Sequence, residues 1–322
     1  LGYGIVEQQG TQNPEEDETT CRTLTTEDLI SEELLLPQSE ETQQTALIPE
    51  SVEATAGTAL SNFRPAVQQV QIDRTQLADY ETLVRNFYAI DANTMAGSDQ
   101  LSVEKLLGMD MTLPQEGDGP QILIYHTHSQ EAFADSVPGD VNTGIVGVGE
   151  CLTKILTEQY GYRVLHNTGQ YDVETRDNAY SRALPAVEQI LAENPSIQVI
   201  IDLHRDEVAE ETKLVTDIQG RPTARFMFFN GLSRTRKTGD IDYLANENQE
   251  ANLAFSFQMQ LKAAEYYPGL TRRIYLKGYR YNMHLRPRTL LVELGAQNNT
   301  VEEAINACDP LAHILDMVLK GE

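Results

Sequence analysis

The stretch QILIYHTH, residues 121–128, places a continuous apolar run directly before two histidines. A run such as Ile122 to Tyr125 is typical of a strand that is covered on both faces. The segments SIQVIIDLH (196–204) and RTLLVELG (288–295) have the same form, and stretches of helical periodicity lie between them. This alternation predicts an α/β fold, with a mostly parallel sheet and helices on both of its faces.

The composition excludes several classes of function. A formal net charge of −25 over 322 residues argues against binding nucleic acid, because nothing could neutralise a row of phosphates. The three cysteines are far apart and form no CxxC pair, which argues against a thiolate metal site. No apolar run is long enough to span a bilayer. Because the chain starts at Leu1, we interpret it as processed or truncated, with an anchor or signal removed upstream.

Charge and periodicity divide the chain into three parts. Residues 1–60 hold 13 acidic residues and one basic residue, Arg22, and so predict a disordered acidic spacer. Residues 61–118 contain helical patterns followed by a segment rich in Pro and Gly, which predicts a helical N-terminal extension and linker. The alternation of strands and helices occupies residues 119–322, which we expect to be the catalytic domain.

Polar side chains follow each of the three apolar strands. The first strand leads into His126 and His128, the second into His204 and Arg205, and the third into Glu293. Ligand sites in open α/β sheets lie beyond the carboxyl ends of the strands. We therefore expect these three segments, although distant in sequence, to meet at one edge of the sheet.

The residue types favour a zinc site at that edge. His128 and Glu131 form an HxxE pair that one turn of chain brings together, and His204 supplies a third ligand. Imidazole and carboxylate ligands suit zinc, and a catalytic site needs three of them plus an open position. Glu293 is then placed as general base, and Arg205 is a candidate for stabilising an oxyanion.

Two choices of ligand stay open on the residues alone. In an extended strand His126 and His128 would point to the same side, so His126 is either a ligand itself or a partner that orients one. Glu150, at the start of the first helix, competes with Glu131, although a carboxylate there is also favoured by the helix dipole. Glu293 could alternatively pair with Arg286 or Arg288.

Four motifs together carry a resemblance to a known family. The segments ILIYHTHSQEAF, VGECLTKILTEQYGYRV, SIQVIIDLHRD and LLVELGAQNNTVEEA resemble the stage II sporulation protein P family, over roughly residues 75–322. The resemblance implies the phosphorylase/hydrolase-like fold of zinc N-acetylmuramoyl-L-alanine amidases. It also implies Zn²⁺ as cofactor and peptidoglycan as substrate. In related zinc amidases the glutamate ligand often starts the helix after the first histidine, which would be Glu150 here.

The resemblance further implies a biological setting. The reaction would be hydrolysis of the amide between N-acetylmuramic acid and L-alanine, with cleavage of stem-peptide cross-links as a second activity. Family members are membrane-anchored, work outside the cytoplasmic membrane during engulfment, and act with a sporulation lytic transglycosylase and a membrane scaffold protein. Two other readings remain: a zinc carboxypeptidase or deacylase, and a catalytically weak scaffold that binds the wall.

Overall fold

A seven-stranded sheet organises the protein in the computed structural model, which describes residues 63–114 and 117–322. In spatial order its strands are β1 (Tyr88–Ile90), β10 (Ile274–Lys277), β7 (Phe226–Gly231), β11 (Arg288–Ala296), β4 (Val199–Asp206), β2 (Ile122–Tyr125) and β3 (Val164–His166). Every neighbouring pair is parallel except β7 and β11, which are antiparallel. The prediction of a mostly parallel sheet is therefore confirmed.

The remaining elements surround this sheet or extend from it. The α-helices are α1 (Tyr80–Phe87), α2 (Val103–Gly108), α3 (Ile145–Glu158), α4 (Ala179–Glu193), α5 (Gln249–Tyr266) and α6 (Val301–Lys320). Two small hairpins pair β5 (Val215–Ile218) with β6 (Arg221–Ala224), and β8 (Arg234–Thr235) with β9 (Gly239–Asp240). None of the helices in the described part of the chain is long and apolar enough to cross a bilayer.

The two faces of β2 pack against different helices. Ile122 and Ile124 join a core cluster that contains residues of α3, α5 and α6. Leu123 and Tyr125 point the other way and pack with side chains of α4. Alternate residues of a strand face opposite sides of the sheet, so an unbroken apolar run needs cover on both. The predicted helices on both faces are thus present.

Local signals in the sequence explain how two of these elements begin or turn. Thr300 caps α6 by accepting a hydrogen bond from the backbone N–H of Glu303, whose side chain accepts from Thr300 N in return, which is the predicted capping box. The hairpin of β5 and β6 turns between Ile218 and Arg221. Gln219 and Gly220 form its turn with φ of 58° and 79°, a region that glycine enters without steric cost.

Residues 63–114 pack against the rest of the described chain. The helical patterns in this part form α1 and α2, and the segment adds a strand that we did not predict, β1, at the edge of the sheet. Gln258 of α5 donates to the carbonyls of Leu106 and Met109 at the end of α2. The predicted acidic spacer, 1–60, lies outside the described residues, and the three-part division remains a prediction.

The strand order positions the candidate site. Strands β11, β4 and β2 are adjacent in the sheet and mutually parallel, so their carboxyl ends lie at one edge. Glu293 of β11 and His204 of β4 are register partners, and neighbouring side chains in register lie on the same face. The predicted convergence of the three strand ends is therefore confirmed.

Candidate metal centre

Three buried side chains meet at the carboxyl edge of the sheet. His128, Glu131 and His204 each offer a ligand atom, and these atoms all lie within 4.8 Å of one another. Nδ1 of His128 is 3.6 Å from Oε1 of Glu131, and Nδ1 of His204 is 3.6 Å from Oε2. Each of the three residues is at most 2% exposed. These are three of the four residues predicted as metal ligands.

The short turn after β2 brings His128 and Glu131 together. The strand ends at Tyr125, and residues 127–130 form a turn. Asp172 holds this turn, because its carboxylate accepts hydrogen bonds from the backbone and hydroxyl of Ser129 and from the backbone of Gln130. The anchored turn fixes the direction of both ligand side chains before any ion arrives.

The donor atoms fit a metal ion. Nδ1 of His128 is buried and has no hydrogen-bond partner among the described residues, an arrangement that costs free energy unless an external group satisfies the atom. Nε2 of His204 lies 2.8 Å from Oδ1 of Asp202, so this carboxylate can hold the proton of Nε2 when Nδ1 gives up its own proton to bind a cation. Two imidazole nitrogens and a carboxylate are a donor set that zinc accepts.

The charges around these donors also favour a cation. Burial raises the pKa of the Glu131 carboxyl, but the imidazoles of His128 and His204 outweigh it and hold that pKa well below its usual range. Burial lowers the pKa of His204, but the carboxylates of Asp202 and Glu131 outweigh it and raise that pKa well above its usual range. The carboxylates of Asp202 and Glu131 are thus negatively charged, and they stabilise a positive charge that lies between them.

Glu293 lies next to the group of His128, Glu131 and His204, and its carboxyl group can take up a proton near neutral pH. Burial raises the pKa of its carboxyl to about 8; the carboxylates of Asp206 and Glu131 add to the effect, and His204 opposes it. Its Oε2 is enclosed and has no hydrogen-bond partner among the described residues. A carboxylate whose pKa lies near neutrality is suited to take up and release a proton. The alternative pairing of Glu293 with Arg286 or Arg288 is not made: those guanidinium groups donate to backbone carbonyls.

His126, also predicted as a ligand, is not brought into the group. Because the strand ends at Tyr125, the alternation that would put His126 and His128 on one side is broken. Nδ1 of His126 is 2.8 Å from the carbonyl oxygen of Leu203, and its Nε2 is 2.9 Å from Nε2 of His166. The geometry supports His128, and not His126, as the ligand from this segment.

Glu150 lies with His126 rather than with the metal group. Its Oε2 is 3.0 Å from Nδ1 of His166, and its side chain is 72% exposed, against 2% for Glu131. Gly149 lies against both rings, since a Cβ there would come within 2.6 Å of the His126 ring. The contacts therefore favour Glu131 over Glu150 as the carboxylate ligand.

Arg205 supports the site through its backbone. Its N–H donates to Oε2 of Glu131 at 2.8 Å, which fixes that carboxylate. Its guanidinium donates to the carbonyls of Ala132 and Asp206. These contacts make Arg205 a positioning residue, and its predicted role at an oxyanion gains no support from them.

Three neighbours of the site were given no role by the sequence analysis, although Asp202 was noted at the end of the second strand. Asp202 could have been found, because it lies two residues before His204 on one strand and therefore faces the same side. Arg176, which contacts Glu131, lies in the loop after β3. Tyr180 lies at the start of α4, and its ring centroid is 5.5 Å from that of His128. No local pattern links those two residues to the strand ends.

Asp202 is expected to control metal affinity through His204. Asp202→Asn removes the negative charge beside Nε2 and should weaken zinc binding roughly 10- to 100-fold, as loss of such a partner typically does. Competition with a chromophoric chelator measures the affinity. Asp316→Asn is the matched control, since Asp316 is a buried carboxylate that instead accepts a hydrogen bond from Tyr162. Equal affinity in wild type and Asp202→Asn would refute this role.

Comparison with known proteins finds one family and a set of distant structures. The family model described as stage II sporulation protein P matches residues 12–316. The stage II sporulation protein P of Bacillus subtilis is 26% identical over 217 residues, which cover 62% of this chain and 51% of the relative. The chain thus spans about half the length of that curated relative.

The similar solved structures are amidases of low identity. An N-acetylmuramyl-L-alanine amidase from Mycobacterium smegmatis is 13% identical, with a TM-score of 0.39, covering 66% of this chain and 100% of that one. The catalytic domain of an N-acetylmuramoyl-L-alanine amidase from Bacillus (Paenibacillus) polymyxa is 14% identical, with a TM-score of 0.34, covering 62% and 95%. Similarities at this level are too distant to carry an argument about the site.

Proposed function

Because this chain belongs to the stage II sporulation protein P family, we propose that it is a zinc-dependent peptidoglycan hydrolase. The bond that it cuts is the amide between N-acetylmuramic acid and the L-alanine of the stem peptide. One observation carries the proposal: the buried group of His128, Glu131 and His204 lies beside Glu293, an enclosed carboxylate with a pKa raised to about 8. Metal ligands next to a proton acceptor are the equipment of metal-assisted hydrolysis.

The three ligand residues supply the binding site for the ion. Zinc bound there would supply Lewis-acid activation of water and of the amide carbonyl. Asp202 contacts His204, and the backbone N–H of Arg205 donates to Glu131. Both contacts restrict the orientation of these two ligand side chains. Such preorganisation reduces the reorganisation that the reaction would otherwise require.

Glu293 performs the proton transfers in this proposal. As a carboxylate it accepts a proton from the attacking water. It then delivers that proton to the amide nitrogen, so that the stem peptide leaves as a free amine. The raised pKa suits both steps, since the group releases its proton near neutral pH.

The setting of this activity is also part of the proposal. Membership of the family supports a role in sporulation, outside the cytoplasmic membrane, with the full-length protein held at the membrane by an anchor. A lytic transglycosylase and a membrane scaffold are the proposed partners, and cleavage of stem-peptide cross-links is a proposed second activity. An acidic chain gains no long-range attraction to an anionic wall, which favours recruitment by a partner or an anchor.

Mass spectrometry of the fragments released from purified sacculi tests the bond that is cut. The zinc-loaded chain is expected to release stem peptides with a free L-alanine amine and to leave intact glycan strands. Shortened or uncrosslinked stems that remain on glycan would instead show a peptidase. If no fragments are released while zinc is bound stoichiometrically, the proposal is replaced by that of a wall-binding scaffold.

A further inference from the structure

Two cysteines from distant parts of the sequence lie side by side in the fold. Cys151 lies on α3 and Cys308 on α6. Sγ of Cys308 is 3.6 Å from the carbonyl oxygen of Val148, which precedes Cys151 by three residues on α3. Side chains at this spacing are neighbours on a helix surface, so Cys308 reaches α3 on the side that carries Cys151. There the two thiols share a hydrogen bond.

The two helices approach each other closely at this point. A cysteine side chain places its sulfur only one methylene from Cα, yet the sulfur of Cys308 contacts the backbone of α3. The neighbours of Cys308 on α6 include Ala304 and Ala307, which are completely buried and too small to hold the helices apart. A disulfide requires Cα atoms that lie about 4–7 Å apart, and such close packing of backbones is what that distance needs.

The two thiols differ in exposure and in acidity. Cys151 is half-buried, whereas Cys308 is completely buried. Their shared hydrogen bond lowers the pKa of Cys151, and the charges of Lys154 and Arg221 lower it further against the effect of burial. The same hydrogen bond, together with burial, raises the pKa of Cys308 well above its usual range. An accessible thiol of lowered pKa is the one that reacts first.

We propose that Cys151 and Cys308 form a disulfide bond between α3 and α6, with Cys151 as the thiol that reacts first. The bond is independent of the proposed hydrolase activity. It requires an oxidant, which is a disulfide compound or the disulfide of a thiol oxidoreductase. This part of the chain therefore takes a covalent modification of its own.

The reaction is two successive thiol–disulfide exchanges. The Cys151 thiolate attacks one sulfur of the oxidant, which forms a mixed disulfide and releases the other sulfur as a thiol. The Cys308 thiolate then attacks the sulfur of Cys151 and releases the second thiol. Two protein thiols are oxidised and one external disulfide is reduced. The two protons that the protein gives up are taken by the two sulfurs of the oxidant.

The bond would leave no buried polar group without a partner. The thiol of Cys308 lies near the carbonyl oxygens of Val148 and Ala304, at 3.6 and 3.7 Å. Both carbonyls lie within α-helices, where each accepts a hydrogen bond from the N–H group four residues later. Loss of the thiol proton therefore costs these carbonyls nothing, and the disulfide adds no polar atom that needs a partner.

The bond would also join the two helices that hold the segment after Glu131. At the start of α3 the N–H of Ile145 donates to the carbonyl of Glu131 at 2.9 Å. At the start of α6 the N–H of Val301 donates to the carboxylate of Asp135 at 2.8 Å. A cross-link between α3 and α6 thus restricts the relative motion of both supports of this segment.

Oxidation with glutathione tests the proposal on the full chain. The folded protein is equilibrated with oxidised and reduced glutathione, quenched with acid, digested without reductant and analysed by mass spectrometry. The expected product is a linked peptide pair that contains Cys151 and Cys308 and has lost two hydrogens. Cys21→Ser removes the third cysteine and should form the same product. If the link is not formed in the folded chain, or forms to Cys21 instead, the proposal is wrong.

Single variants test the order of the two exchanges. In Cys308→Ala the second exchange is impossible, so Cys151 should accumulate as a mixed disulfide with glutathione. In Cys151→Ala the buried Cys308 should remain unmodified. Modification of Cys308 in Cys151→Ala, or an unreactive Cys151 in Cys308→Ala, would overturn the assignment of Cys151 as the first thiol.

Thermal unfolding shows whether the bond fits the native packing. Closing a long loop should raise the Tm of the oxidised wild type by roughly 5–10 °C over the reduced form, and Cys308→Ala should show no such difference. Hydrogen exchange at the amides of Ile145 and Val301 should slow on oxidation. A Tm that falls or stays the same in the cross-linked protein would mean that the bond distorts α3 and α6, and the proposal would fail.

Discussion

Glu293→Gln is expected to keep its zinc and to lose roughly a hundred- to ten-thousandfold in turnover, the usual contribution of a general acid–base group. The substitution preserves size and removes the ability to accept a proton. Because Glu293 is not one of the three ligand residues, the metal group remains intact. Turnover on soluble muramyl peptides and zinc content by atomic spectroscopy are the two measurements.

The pH profile gives a second and more specific reading of Glu293. The base is the deprotonated carboxylate, so wild-type activity should rise with pH through the pKa of this group, and Glu293→Gln should lack that limb. Glu150→Gln is the control, because Glu150 is exposed and contacts His166 instead. Near-normal turnover in Glu293→Gln, or an unchanged acid limb, would contradict the assigned role.

His204→Ala is expected to lose both zinc and activity. The substitution removes one of three ligands, and it also strips Asp202 and Glu131 of the imidazole between them. Both carboxylates keep other hydrogen-bond partners but lose a buried positive one. Because removing one member of a buried ion pair is strongly destabilising, the free energy of unfolding of the metal-free chain should fall by about 3–5 kcal/mol. Zinc titration and urea denaturation measure the two effects separately.

His166→Ala is the matched control for that variant. His166 is also a histidine at the carboxyl end of a sheet strand, but it contacts His126 and Glu150 rather than the metal group. It should therefore retain stoichiometric zinc. If His204→Ala retained stoichiometric zinc as well, the assignment of the ligands would be wrong.

The strand ends at which the candidate site lies could be predicted from the sequence. Apolar runs that lead to His128, to His204 and to Glu293 predicted both the strands and their common edge, because parallel neighbours present the same end. The case for His126 as a ligand rested on an extended backbone through residue 128. Period-two alternation holds only while the backbone stays extended, and the turn at 127–130 ended it.

The remaining features depend on contacts that local sequence does not specify. The segment RFMFFNG directly follows the hairpin of β5 and β6, but it forms β7 and pairs with β11 and β10 in the main sheet. The residues of an apolar strand do not specify which other strand it pairs with. Arg176 and Tyr180 reach the site from a loop and a helix start, so neither periodicity nor strand position could have identified them.

Strand β1 affects how readily the edge of the sheet can pair with a strand of another copy of the protein. It is the last strand on one side of the sheet and has three residues, all paired with β10. A chain begun at Gly119 would leave the backbone N–H and C=O groups of β10 without this partner, as an open template for another strand. Residues 88–90 thus replace β10 at this edge by a strand of three residues, which is too short to be a good template for intermolecular β-pairing, and this protection is independent of catalysis.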